Sequence, residues 1–185
     1  MGLFVEPGLI GRSLDGDIRT DGHTRECLHI REGIGVVTAY LKPGLPQPMA
    51  APDGLDAAYW EGLAEDRLLI QKCRSCGVWQ WGPEWVCHSC NSFDRDFEEV
   101  TARGQIYSYE RVWHPVHPAL QQQGAYLVVL VELPQAGNVR LVGNLLGDPQ
   151  QPVAIGAVVE GVFEHHTKTD THFTLLQWQV VDQET

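Results

Sequence analysis

From Thr101 onward, apolar and polar residues fall into short runs of strand length, with no helical period among them. The runs are 104–113, 125–133, 139–146, 157–164 and 172–181, and the breaks between them carry Pro, Gly, Gln or Asp. Five strands of this length and spacing predict a small closed barrel, with a two-sheet sandwich of the same size as the competing architecture. Upstream, Tyr59, Trp60, Leu63 and Leu68 recur at roughly helical spacing, which predicts a short helix over 55–67. The Tyr59-Trp60 pair has two readings, an ordinary apolar helix face or an exposed anchor for a partner.

Residues 1–54 read differently. They are rich in Gly and Pro and end in the loop-like run Lys42-Pro43-Gly44-Leu45-Pro46-Gln47-Pro48 and the turn Pro52-Asp53-Gly54. Within them, 27–31 and 35–41 flank Glu32-Gly33 in the pattern of a β-hairpin. A lone hairpin is marginal in water, so it requires something to pack on. The chain therefore divides into an N-terminal extension at 1–54, a helix with a cysteine-rich segment at 55–100, and a β domain at 101–185.

The cysteines change the picture most. Cys73-Arg74-Ser75-Cys76-Gly77 and Cys87-His88-Ser89-Cys90-Asn91 are two C-x2-C knuckles ten residues apart. Each turns the chain tightly enough to aim two thiolates at one centre, and Gly77 and Asn91 suit the positive-φ position such a turn requires. Four sulfurs make the tetrahedral set that suits Zn2+, and a closed set leaves no open position for an activated water, so the expected role is structural. A rubredoxin-like iron centre uses similar spacing and stays open at this point. His88 is expected to stand outside the ligand set. The intervening Val78-Trp79-Gln80-Trp81-Gly82-Pro83 reads as a strand and turn of a ribbon.

With 185 residues, 43% of them apolar, and a formal charge of −11, the chain can bury a core but offers phosphate backbones no attraction. Only Lys72 and Arg74 lie near the knuckles. No run approaches the ~20 apolar residues of a membrane helix, and the start at Met1–Pro7 has no basic n-region. Clustered cysteines of metal spacing fit a reducing compartment, so the expectation is a cytoplasmic protein without membrane or nucleic-acid partners.

Catalytic chemistry is sparse. Residues 101–185 hold Arg103, Arg111, Arg140 and Lys168 against eight Asp or Glu, and no G-x-S-x-G, P-loop or G-x-G-x-x-G occurs. Cys27 with His29 two residues on could pair a nucleophile with a base, though a half-buried free thiol is the commoner outcome. His114 and His117, and His165-His166, read as loop and strand-end histidines rather than ligands.

The order Tyr59-Trp60-Glu61-Gly62-Leu63, then 68–77 with the first knuckle, then Pro83 and the second knuckle, resembles the DUF35 proteins. The continuation agrees through Gly104-Gln105-Ile106-Tyr107-Ser108-Tyr109, 126–133 and 140–145, so that the resemblance covers roughly 55–181. It implies a mainly β chain with a short N-terminal helix, a rubredoxin-like zinc ribbon and a C-terminal five-stranded OB-fold barrel. It further implies a non-catalytic subunit of a thiolase-superfamily complex acting on acyl-CoA or β-ketoacyl-CoA, in thiolysis, retro-aldol cleavage or acyl transfer. The partner would supply the nucleophilic cysteine. Residues 1–54 lie outside the resemblance and are expected to act as a partner-binding arm. An OB-fold and zinc-ribbon nucleic-acid binder, stacking bases on Tyr107, Tyr109 and Trp113, is the alternative that the acidic charge opposes. For a CoA ester, phosphates need cations and adenine needs an aromatic platform, and strand alternation would put Tyr107, Tyr109 and Trp113 on Arg111's face. Arg111 and Trp113 are the candidate substrate contacts; covering a barrel face is their bland alternative.

Overall fold

The computed structural model describes residues 45–122, 124–167 and 172–181. The predicted N-terminal hairpin and Cys27 with His29 lie outside these residues. Among the described residues one helix precedes eight strands.

Helix α1 spans Ala57–Ala64. It is shorter than the 55–67 expected, for a local reason. Asp66 adopts a left-handed backbone (φ 60°) and the Arg67 N–H returns to the Gly62 carbonyl at 2.9 Å, so the chain reverses there. Leu68, assigned by its spacing to the helix, instead opens strand β1, Leu68–Cys73. Gly62 permits the crossing, because a Cβ there would sit 2.7 Å from Leu69 Cγ. At its other end α1 is fastened by Asp56, whose carboxylate accepts from the Ala51 N–H at 2.7 Å and from Trp60 Nε1 at 3.0 Å. Tyr59 and Trp60 are partly buried against the core, as the ordinary helix-face reading expects.

Strand β1 is the centre of a three-stranded antiparallel sheet, between β2, Trp79–Gln80, and β3, Arg95–Val100. The polar sequence of β3 hides it from pattern reading. It is an edge strand among the described residues, fastened to β1 and its flanks by Lys72 on Glu98 (2.9 Å), Arg67 on Glu99 (2.8 Å) and Arg74 on Asp96. Charges along an edge also discourage unwanted strand pairing.

The other five strands are β4, Arg103–Val112; β5, Tyr126–Leu133; β6, Val139–Asn144; β7, Val158–His166; and β8, Phe173–Val180. Each matches a predicted run to within two residues at either end. Their order is β6-β5-β4-β7-β8, with antiparallel neighbours throughout. Closure decides between barrel and sandwich. Just past β6, Leu145 meets Trp178 of β8 in a parallel bridge, the Leu146 N–H donates to the Trp178 carbonyl at 2.8 Å, and the Asn144 N–H donates to Gln177 Oε1 at 2.9 Å. The result is a nearly closed five-stranded barrel of OB-fold type.

The barrel core is Ile106, Leu127, Val129, Val131, Leu133, Leu141, Val159, Leu176 and Trp178; Leu63 of α1, Leu68 and Ile70 of β1 and Val100 of β3 belong to the same cluster. Helix and ribbon base therefore share one hydrophobic interior with the barrel.

Candidate metal centre and ligand-facing residues

β1 delivers Cys73 to the first knuckle. There the Gly77 N–H donates to the Cys73 carbonyl at 2.8 Å with Gly77 at φ 75°, and the Cys73 N–H donates to Val78 at 2.9 Å. The second knuckle repeats the device: the Asn91 N–H donates to the Cys87 carbonyl at 2.9 Å, with Asn91 at φ 59°. Ser75 and Ser92 hydroxyls meet at 2.8 Å and tie the two turns together.

The four sulfurs of Cys73, Cys76, Cys87 and Cys90 all lie within 4.8 Å of one another, with Cys73–Cys90 and Cys76–Cys87 both at 3.6 Å. A tetrahedron with metal–sulfur bonds of ~2.3 Å has sulfurs about 3.8 Å apart, whereas a disulfide requires about 2.05 Å. The cluster therefore fits a four-thiolate metal ion and not a cross-link. Backbone N–H groups of Cys90 and then Ser89 hold the Cys87 thiol down to about 6, whereas Cys76 and Cys90 are pushed up in the company of the other thiols, the mutual crowding that a bound cation would relieve. Cys73 and Cys87 are buried while Cys76 and Cys90 are exposed. His88 stands outside the set, its Nδ1 3.1 Å from Gln80 Oε1.

Two buried glutamines support the centre, and the pattern gave no notice of them. Gln71 donates to the Glu84 carbonyl and accepts from the Glu84 N–H, both at 2.8 Å, while Gln80 donates to the Val86 carbonyl at 3.3 Å. Both sit on strands flanking the first knuckle and clamp the segment leading to Cys87. Their only sequence signal is a glutamine beside bulky apolar residues, Ile70 before Gln71 and Trp79 and Trp81 around Gln80.

Arg111 and Trp113 lie at the far end of β4. The guanidinium rests 5.5 Å from the Trp113 ring, and Nη2 donates to the Gln151 carbonyl at 2.6 Å. Its Nε is buried without a hydrogen-bond partner among the described residues, and Trp113 is 54% exposed. The alternation that placed Tyr107 on Arg111's face is broken by a β-bulge between Ile106 and Ser108. Tyr109 and Arg111 pair with the inward Val129 and Leu127, but Tyr107 turns outward onto Arg140, whose guanidinium lies 3.5 Å from its ring.

Three of the remaining candidate histidines, His117, His165 and His166, have structural partners. His117 Nδ1 accepts from the Ala119 N–H at 3.2 Å, capping a 3-10 turn at Pro118–Leu120. His165 lies between Thr174 Oγ1 at 2.9 Å and Asp66 at 2.8 Å. That hydroxyl–imidazole–carboxylate relay would resemble hydrolase chemistry if the hydroxyl were reachable. Thr174, however, is only 3% exposed, so the relay ties the end of α1 to β7 and β8. His166 pairs with Glu164 at 3.1 Å and stacks on Phe173.

Two family descriptions match in tandem: "ChsH2, rubredoxin-like zinc ribbon domain" over residues 60–98, and "ChsH2, C-terminal OB-fold domain" over 97–164. Among solved structures, the chain is similar to the "Ltp2-ChsH2(DUF35) aldolase", at 34% identity and TM-score 0.60, covering 72% of this chain and 98% of that one. The chain belongs to the DUF35 family. A DUF35 protein of unknown function from Sulfolobus solfataricus shares the fold at 16% identity and TM-score 0.50, covering 71% of this chain and 87% of that one. A curated relative from Thermomonospora curvata, "Probable enoyl-CoA hydratase alpha subunit", is 38% identical over 118 residues. That match takes in 64% of this DUF35 chain and 36% of the relative, so the chain spans about a third of the relative's length. Among the described residues, no helix is long and apolar enough to cross a membrane.

Proposed function

We propose that this DUF35 chain is a non-catalytic, zinc-binding OB-fold subunit of a thiolase-superfamily complex. The complex would act on acyl-CoA or β-ketoacyl-CoA in the cytoplasm, by thiolytic or retro-aldol carbon–carbon cleavage or by acyl transfer. The observation that carries the reading is the 34% identity over nearly the full length of the DUF35 chain of an aldolase assembly. The subunit named for enoyl-CoA hydratase supports the CoA-ester class.

Cys73, Cys76, Cys87 and Cys90 would hold zinc as four thiolates. Bound zinc would supply shape and not reactivity, since four sulfurs fill its tetrahedron. Gln71 and Gln80 keep the 84–88 segment in place around the second knuckle. Arg111 and Trp113 are the residues proposed to meet the CoA portion of the substrate. Among the described residues no carboxylate pairs with the guanidinium, which lies against a half-exposed indole, an arrangement suited to a phosphate beside an adenine face. Of the other cations among the described residues, Arg67, Lys72, Arg74, Arg103 and Arg140 are spent on ion pairs, which argues against a nucleic-acid groove.

The test is co-expression with the thiolase-superfamily protein encoded nearest to this chain's gene. Stable co-purification, with acyl-CoA turnover that needs both chains and weakens about tenfold in KM for Arg111→Ala, supports the reading. Failure of the two proteins to associate sinks it.

A further inference from the structure

Strand β5 is apolar on both faces. Leu127, Val129, Val131 and Leu133 point into the barrel and are at most 1% exposed. The alternate residues Tyr126, Val128 and Leu130 face outward and are half-buried. An antiparallel sheet with one wet face alternates apolar with polar residues, whereas a strand covered on both faces reads as a continuous apolar run. The neighbours extend the patch. Val142 of β6 lies directly across from Leu130 and is 69% exposed, and Val112 of β4 lies across from Tyr126. The β4 bulge adds Tyr107 to the same side, 46% exposed and stacked under Arg140, which is itself held by Glu132 at 2.8 Å. The outer wall of β4, β5 and β6 thus carries an apolar centre, an arginine–tyrosine pair at one edge and the exposed Glu110 opposite Val128. Aromatic and arginine anchors around a dehydrated apolar centre are the composition of protein interfaces.

We infer that this outer wall, centred on Leu130 and Val142, is where the chain docks a different protein, one that presents an apolar surface with a basic group facing Glu110. Net charge selects the occupant. A second copy would bring −11 against −11, whereas a partner of opposite local charge neutralises Glu110 as it covers the valines and leucine. This rests on the partner-subunit reading above and adds the surface to it.

The probe is the co-expressed thiolase-superfamily neighbour, with the full chain carrying Val142→Asp, Glu110→Lys or, as a control, Val116→Asp in the 93%-exposed position of the loop after β4. Expected are a loss of affinity of tenfold or more for Val142→Asp, a several-fold loss with a flatter salt dependence for Glu110→Lys, and wild-type binding for Val116→Asp. Thermal melts establish that each variant is folded, and Glu110→Lys carries the test if Val142→Asp is not. If the wild type binds and both wall variants bind equally well, this surface is wrong while the partner reading stands. If the wild type itself binds nothing, the partner reading falls and takes the surface with it. If the isolated chain forms a dimer that Val142→Asp separates, a second copy occupies the wall and the hetero-partner inference is overturned.

Discussion

Gly143 on β6 and Trp178 on β8 interlock across the barrel's closing seam: a Cβ on Gly143 would lie 2.7 Å from Trp178 Cδ1 and 2.8 Å from Nε1. Trp178 is fully buried and its backbone accepts from Leu146, so the indole has no room to step aside. Gly143→Ala should therefore destabilise the fold by ~1–3 kcal/mol, the usual cost of overpacking a tight core. Urea unfolding followed by tryptophan fluorescence measures it, and an unchanged midpoint would contradict the interlock.

Metal removal should reach beyond the ribbon. Leu68, Ile70 and Val100 leave the ribbon sheet to join the barrel core, so loosening the four-cysteine centre also loosens the barrel. Stoichiometric zinc in the purified chain, followed by chelation, should lower the melting temperature of the whole described unit in a single transition. Two separate transitions, with the barrel's unchanged, would show that the shared core does not couple them.

Gln71 is a positioning residue for the metal centre. Replacing it with Ala leaves the Glu84 N–H and carbonyl without their partner, at a cost of ~1–3 kcal/mol for buried groups left unsatisfied. Zinc affinity, measured by competition with a chromophoric chelator, should fall about 10- to 100-fold, the usual effect of removing support behind a ligand. Gln71→Glu should recover little, since it retains the acceptor and loses the donor.

Burial pushes the Tyr59 hydroxyl up to about 12 from its ordinary 10.0. The folded state then holds its proton more tightly than the unfolded chain. The resulting stability is complete below pH 10 and is lost as pH rises through the folded value, by roughly 2 kcal/mol at pH 12. Absorbance at 295 nm should show one tyrosine ionising late, and Tyr59→Phe should remove both that step and its share of the alkaline loss. Ionisation of every tyrosine near pH 10 would contradict the burial.

The knuckles were legible because each is a local object. The spacing of two cysteines and the residue after them settle the turn, and Gly77 and Asn91 took the positive φ that spacing required. The five barrel strands were legible for a similar reason, since a period-two pattern broken by Gly and Pro needs no knowledge of what it packs on. β3 was not legible: Arg95, Asp96, Glu98 and Glu99 look like a loop until β1 and its flanks supply Lys72, Arg74 and Arg67 across from them. Nor was the bulge, because one extra residue in β4 has meaning only against the register of β5. Arg111 and Trp113, named from the sequence as candidate substrate contacts, lie side by side, but the Arg111 link to Gln151 joins residues forty apart and no local pattern announces it.

By itself the sequence determined the four-cysteine set, the five barrel strands and the acidic character, all of which depend on residue type and near spacing. Tertiary structure alone decided that the strands close into a barrel, that ribbon and barrel share one core, and that Tyr107 faces the outside. Those outcomes depend on which distant residues meet, and contact between distant segments is set by the packing of the whole chain rather than by any stretch of it.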